Sequence, residues 1–299
     1  MRIGVLLLPT DPWPVARAQA VRMESLGFDH LWTYDHLSWR RYRDRPWFGT
    51  LPWLTGLACA TTTIRMGTMV ASPNFRHPVT LAKDAMTLDH VSGGRLVLGV
   101  GAGGVGFDST VLGDRLLSAA ERRDRLGEFT ELLDLLLRQP VTTYRGAYYR
   151  AEEARMLPGC LQRPRLPLAL AGGDPGTLAL VARLADGWIT YGDTSHRDMT
   201  AAGTLRALRR QIDQLDERCD TIGRDPQSLQ RIYLAGNTDE RPTANVEAFA
   251  ETVARCDELG FTDLVFHHPR AEDPVWNDPQ EVVDAIAAEV LPDAHRLGG

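Results

Sequence analysis

Short apolar runs alternate with longer stretches of helical period along the whole chain, and the number of runs decides between architectures. The runs cover residues 3–8, 30–34, 64–70, 96–100, 168–171, 187–190, 229–234 and 263–266, eight in all. Between them, apolar positions three to four apart predict helices over 14–26, 52–60, 78–91, 118–138, 176–184, 200–221, 245–259 and 279–290. Strands this apolar are buried on both faces, and strands that alternate with helices pair in parallel. The corners repeat. Leu26-Gly27-Phe28-Asp29 and Leu259-Gly260-Phe261-Thr262-Asp263 each put a glycine where a helix ends, then an aromatic, then the next strand; Ala185-Asp186-Gly187-Trp188 is a looser third copy. Eight βα units close into a single (β/α)8 TIM barrel spanning residues 1–299, with the carboxyl ends of the strands forming the site face. A doubly wound open sheet is the alternative. One stretch, residues 105–165, breaks the rhythm with a glycine-rich loop, a long helix and a Tyr-rich hairpin over 141–149 around Arg145-Gly146. This insertion after the fourth strand is expected to lie over the barrel mouth and shape the substrate pocket.

Composition narrows the classes. With 43% hydrophobic and 24% charged residues the 299-residue chain is an ordinary globular protein. Its net charge of −6 is scattered, which argues against a broad nucleic-acid footprint. Of the 33 basic residues only Lys83 is a lysine, so no P-loop or Schiff-base lysine is to spare, and an anionic ligand must rely on arginine or backbone N–H. Arg40, Arg41, Arg43 and Arg45 form the nearest basic cluster to the candidate site. The four cysteines, 59, 160, 219 and 256, have neither disulfide nor zinc-ligand spacing and fit a reducing cytoplasm. The apolar start at residues 3–8 is cut short by Pro9, Asp11, Pro12 and Pro14 and reads as a buried strand rather than a signal core. No run approaches the roughly 18 apolar residues of a membrane span.

Candidate chemistry sits where the predicted strands end. Asp35-His36 follows the second strand, with His36 able to move a proton near neutral pH and Asp35 able to orient it or cap the next segment. The cluster from Gly99 to Gly106 holds G-x-G-x-x-G in two registers, yet no helix or suitably spaced acid follows, so a bare wall for a flat ring replaces the dinucleotide reading. Ala171-Gly172-Gly173-Asp174-Pro175-Gly176-Thr177 joins a strand to a helix start, where free N–H groups attract anions. His77 and His267-His268 follow two further strands, but no H-x-H marks the first strand and no H-E-x-x-H exists, so no metal is expected. The absence of G-x-S-x-G argues against a nucleophile-elbow hydrolase.

Taken in order, Trp32-Thr33-Tyr34-Asp35-His36-Leu37, the strand 63–70, Pro78-Val79-Thr80-Leu81-Ala82-Lys83, the stretch 86–103 ending Gly101-Ala102-Gly103, and Ala185-Asp186-Gly187-Trp188-Ile189-Thr190 resemble the bacterial luciferase-like superfamily of flavin- and deazaflavin-dependent oxidoreductases. The resemblance implies a ring bound in the barrel mouth against a bulge in the third strand, at Met69 and Val70, with a non-proline cis peptide between them. It also implies cofactor phosphate held by the turn from Ala171 to Gly176 and by Thr190-Tyr191-Gly192, with Asp35 and His36 beside the ring. The cofactor residues expected are therefore Asp35, Met69, Val70, Gly101, Gly103, Gly104, Ala171, Gly172, Gly173, Gly176, Thr177, Thr190, Tyr191 and Gly192. Coenzyme F420 is the cofactor that the whole-chain likeness favours; FMN, with a separate reductase and monooxygenase chemistry, is the alternative.

Two departures from the deazaflavin sugar dehydrogenases stand out. Gly104 occupies the position of their catalytic Glu, and Trp39 lies three rather than four residues beyond His36. Reduction of an unsaturated bond or imine, with His36, Asp108 or Tyr191 delivering the proton and Asp35 beside it, is the expected chemistry. A non-catalytic cofactor binder and a metal-dependent hydrolase using His36, His77 and His267 are the competing classes. Trp47, Phe48, Trp53, Phe107, Tyr144, Tyr148 and Tyr149 in the loops suit a bulky apolar small-molecule substrate, and the resemblance implies a homodimer.

Overall fold

The computed structural model describes residues 1–192, 200–236, 239 and 241–297, with Arg41 described by its backbone alone. In chain order the elements are β1 (Arg2–Leu6), α1 (Trp13–Ser25), β2 (His30–Thr33), α2 (Thr50–Ala60), β3 (Arg65–Thr68), α3 (Pro78–Val91), β4 (Leu96–Gly101) and α4 (Ala119–Arg138). There follow β5 (Val141–Arg145), β6 (Arg150–Arg155), β7 (Leu168–Ala171), α5 (Pro175–Leu184), β8 (Gly187–Thr190), α6 (Ala201–Thr221), β9 (Gln230–Leu234), α7 (Val246–Glu258), β10 (Asp263–His267), α8 (Glu281–Glu289) and α9 (Leu291–Arg296). Eight strands form a closed barrel in the order β1-β10-β9-β8-β7-β4-β3-β2, and β5 and β6 make a separate two-stranded sheet. Every one of the eight apolar runs is a barrel strand. Among the described residues no helix is long and apolar enough to cross a membrane.

By its contacts the chain divides into two compact units, residues 1–7, 19–32 and 172–299, and residues 8–18 and 33–171. In the first, β1 pairs with β10 in parallel from Arg2 opposite Asp263 to Leu6 opposite His267. Its core is aromatic: Phe249 meets Phe266 edge-on at 5.1 Å, and Trp188 stacks on Phe261 at 5.9 Å. In the second, β4 pairs with β3 and β7, again in parallel. The helix α4 starts with a capping box in which Ser118 and Glu121 exchange side-chain and backbone bonds, which fixes where the loop before it ends.

The insertion differs in detail from the pattern reading. The second strand of its hairpin lies at Arg150–Arg155, beyond the predicted 141–149, because Glu128 of α4 accepts the backbone N–H groups of Ala147, Tyr148 and Tyr149 and holds them as the turn. From there the chain runs down α3. Tyr149 packs on His77 at the start of the helix, the Arg155 carbonyl accepts from Lys83, and the backbone N–H of Leu161 reaches Asp89 near the helix end. The chain's one lysine thus serves as a strap between helix and hairpin.

Candidate active site

Beyond β2 the chain places two acid-base groups side by side and gives each a different partner. Asp35, 1% exposed, takes a bidentate ion pair from Arg76, with Nε at 3.0 Å and Nη2 at 2.7 Å. Burial alone would lower the Arg76 pKa, but the hydrogen bonds and charge of Asp35 outweigh it and hold the guanidinium above its ordinary value. His36 is bound instead by Asp108, Nδ1 to Oδ2 at 2.7 Å, and the Leu37 N–H approaches the same oxygen. This corrects the expectation that Asp35 orients its neighbour: both Asp35 oxygens are engaged by Arg76, and the orienting carboxylate comes from the loop after β4. Asp108 is 4% exposed at its side chain and His36 30%, so the pair is a buried carboxyl group beneath a partly open imidazole. A carboxylate on Nδ1 selects the tautomer that carries its proton there and leaves Nε2 to exchange a proton with a ligand. Trp39 stacks on the His36 ring at 6.3 Å and Trp47 meets it edge-on at 6.1 Å. Three residues of spacing are therefore enough to bring Trp39 onto the imidazole.

The end of β3 supplies a bulge. Met69 N–H donates to Thr33 O and Ala71 N–H to Gly99 O, while the peptide joining Met69 to Val70 is cis, as the resemblance implies. Val70 protrudes from the ladder toward β4, where a Cβ on residue 101 would lie 2.6 Å from Val70 Cγ2; glycine is required there by simple exclusion. Gly103 has φ of +76°, and a side chain on it would strike Ser72 and Asn74. Around Gly104 the space is open for 4 Å. Gly101, Gly103 and Gly104 thus form a glycine strip whose first two members pack against Val70, Ser72 and Asn74 and whose last faces open space.

In the other unit, the turn after β7 and the loop after β8 are braced separately. Trp188 Nε1 donates to Gly172 O at 2.8 Å. Thr190 Oγ1 donates to Gln211 Oε1 at 2.7 Å, and Gln211 Nε2 donates to Gly192 O at 2.8 Å, so a buried amide of α6 clamps the loop on both sides of Tyr191. The start of α5 differs from the open anion site expected from its glycines. Asp174 caps the helix, accepting from Gly176 N–H at 3.1 Å, Thr177 N–H at 3.2 Å and Thr177 Oγ1 at 2.6 Å. The donors expected to meet an anion are held by the chain's own carboxylate.

The luciferase-like monooxygenase family model matches residues 1–290. The chain belongs to that family. An F420-dependent glucose-6-phosphate dehydrogenase of Kineococcus radiotolerans is 28% identical over 91% of this chain and 90% of its own length. Among solved structures, an F420-dependent secondary alcohol dehydrogenase in complex with an F420-acetone adduct superposes with a TM-score of 0.80 at 20% identity, covering 98% of both chains. The FMN-bound oxygenating constituent of 3,6-diketocamphane monooxygenase from Pseudomonas putida gives 0.72 at 17% identity, also over 98% of each. These two likenesses establish the luciferase-like barrel fold.

Within this luciferase-like chain the predicted residues fall into four groups, of which Asp35, held by Arg76, is the first. His36 with Asp108, and Met69 and Val70 with Gly101, Gly103 and Gly104, are brought together in one unit; Ala171, Gly172, Gly173, Gly176, Thr177, Thr190, Tyr191 and Gly192 belong to the loops just described. The remaining histidines are used otherwise. His77 Nδ1 accepts the N–H of Val79 as an N-cap, and burial lowers its pKa, while His267 stacks on Trp276 at 3.7 Å. Among the described residues no three His, Cys, Asp or Glu side chains are grouped to hold a metal. In the basic cluster, Arg40 lies over Trp39 and Arg43 over the ring of Phe107. Residues that pattern reading missed are Arg76, Asn74, Arg125 and Gln211. Their only sequence signal is a polar residue on an otherwise apolar helix face or strand end.

Proposed function

We propose that the chain is an F420-dependent oxidoreductase that passes a hydride between the deazaflavin and a small organic substrate, with His36 moving the accompanying proton. The carrying observation is the His36–Asp108 pair, a fixed imidazole with one nitrogen bound to a buried carboxylate and the other left for a ligand. Support for the cofactor is the likeness to F420-dependent enzymes by sequence and by fold. Room for a planar ring is supported by Gly104, where a side chain would meet nothing within 4 Å, while Gly101 and Gly103 let the backbone pack closely on Val70, Ser72 and Asn74. Hydride chemistry is what bound deazaflavin would supply; the protein's share is orientation, which contributes about 7–11 kcal/mol in well-aligned reactions.

Met69, Val70 and the glycines would hold the ring, and Ala171, Gly172, Gly173, Thr190, Tyr191 and Gly192 are the candidates for its tail. Asp35 supports them by fixing Arg76. Gly104 provides no acid, which favours reduction of a C=C or C=N bond over oxidation of a sugar, with His36 giving up an Nε2 proton as an imidazolium, keeping its Nδ1–H on Asp108, and taking the next proton from solvent. The loop 102–117, tied to His36 through Asp108, is the part of the insertion that shapes the substrate pocket. A homodimer belongs to the same reading from the family resemblance, and a cytoplasmic location from the cysteine usage.

The test is to titrate the purified protein separately with F420 and FMN and follow quenching of cofactor fluorescence. Saturable quenching of F420 is expected. Tight binding of FMN with none of F420 would transfer the assignment to an FMN-dependent monooxygenase served by a separate reductase, the reading that the FMN-bound fold neighbour favours. Binding of neither removes the oxidoreductase assignment.

A further inference from the structure

Arg125, in the second turn of α4, is a half-buried guanidinium with no ion pair among the described residues. One of its nitrogens, Nη2, donates to Asn74 Oδ1 at 2.6 Å; another, Nε, is buried without a partner among the described residues. The Tyr149 hydroxyl, on a residue only 8% exposed, is likewise buried and without a partner among the described residues. Its ring packs at 5.5 Å on Phe129, one helical turn beyond Arg125, so both orphan donors belong to the same face of α4. Asn74 in turn donates to the Gly104 carbonyl at 3.1 Å, which ties the guanidinium to the glycine strip. The other charges near Arg125 are Arg122, which repels it, and Asp114. Glu128, close to Tyr149, has its oxygens occupied by the backbone N–H groups of residues 147–149.

A half-buried guanidinium whose buried Nε lacks an acceptor and a buried hydroxyl without one are each costly, and such groups call for a partner that the chain does not supply, whether water, ion or ligand. Both groups are donors. An oxyanion satisfies two donors at once, and arginine is the side chain best shaped to bind one. We propose that Arg125 and Tyr149 form a subsite for a carboxylate or phosphate group of the substrate, held beside Gly104 by Asn74. The inference rests on the oxidoreductase reading for the word substrate, and it narrows that substrate to an organic acid or phosphate ester. Burial supports the geometry: it pushes the Arg125 pKa down and the Tyr149 phenol up, as expected of groups lacking their counterpart.

The experiment needs no cofactor. Thermal melts of the wild-type protein, Arg125→Gln and Tyr149→Phe are run with inorganic phosphate, benzoate and, as the neutral control, benzamide. Saturating phosphate or benzoate is expected to raise the wild-type Tm by about 3 °C or more beyond its effect on Arg125→Gln, with benzamide inert. Tyr149→Phe, which removes only the orphan hydroxyl, is expected to melt at or above the wild type without anion and to lose most of the anion response. The comparison between proteins removes the general salting effect of phosphate. Equal anion shifts in all three proteins overturn the proposal. F420 quenching is then measured on the same variants. Retained F420 affinity with a lost anion response assigns the subsite to substrate, whereas loss of both would move it to the cofactor tail and overturn the assignment. If F420 fails to bind the wild type, the oxidoreductase reading falls while the anion melts still decide whether the subsite exists.

Discussion

His30 and His36 lie on and just beyond the same strand, each hydrogen-bonded to an aspartate, yet their surroundings make them different tools. His30 has both nitrogens engaged: Nε2 meets Asp263 Oδ1 at 2.9 Å and Nδ1 accepts from Trp32 Nε1 at 2.6 Å, with 4% of the side chain exposed. The indole N–H can only donate, so Nδ1 there carries no proton. Asp263 is equally saturated, taking Arg2 through Nε at 2.7 Å and Nη2 at 2.8 Å, and Thr262 Oγ1 at 2.5 Å. Among the described residues His36 has Nδ1 alone engaged, and its side chain is 30% exposed. A histidine with two satisfied nitrogens holds a fold together; one with a single buried partner can transfer a proton.

The largest effect separates the two on turnover. His36→Ala is expected to cut turnover about 100-fold to 10,000-fold, the usual contribution of a positioned acid or base, while its melting temperature stays within a few degrees of wild type. Asp108→Asn is expected to lose less than His36→Ala, acting mainly on kcat, since it disturbs the tautomer and not the imidazole itself. Steady-state kinetics with F420, paired with circular-dichroism melts, measure both. A His36→Ala protein with full activity would end the assignment of His36.

Second in size is stability. His30→Ala removes an acceptor from the Trp32 indole and a donor from Asp263 and leaves a buried cavity, which together cost about 2–4 kcal/mol. Urea titration measures it. An unchanged midpoint would show that the saturated cluster contributes nothing beyond packing, and the contrast between the two histidines would lose half its force.

How far this contrast was legible in the chain depends on the distance between partners. The barrel strands were readable because burial on both faces writes itself as a local apolar run, and the repeated Leu-Gly-Phe corner is likewise local. His36 was visible from its place after a strand. Its partner is 72 positions on, in a glycine-rich loop with no periodicity, and Asp35, the obvious neighbour, proved to serve Arg76. Asp174 shows the opposite failure: glycines beside a helix start suggest an open anion site, but the acidic residue among them is itself the cap. His30 carried no signal at all, since a polar residue inside an apolar run is interpretable only once Asp263 and Trp32 are known to surround it.

The smallest effect tests the saturated side of the comparison by pH. Burial alone would raise the pKa of Asp263, but hydrogen bonds from Arg2 and His30 outweigh it and hold the carboxyl well below the usual carboxylate range. A group whose folded pKa lies below its unfolded value, about 3.9 for Asp, contributes stability that is fully present above that value and is lost as the pH falls toward the folded one. Wild-type melting temperature should therefore drop as the pH is lowered from about 6 to about 3, and part of that drop belongs to Asp263. Asp263→Asn carries no such carboxyl. It is expected to melt lower than wild type at pH 6, because a neutral amide pairs more weakly with Arg2, and to lose less on acidification, so that the two curves converge. Parallel curves would mean that Asp263 gains nothing from its hydrogen-bonded partners, and that the difference between His30 and His36 is one of exposure alone.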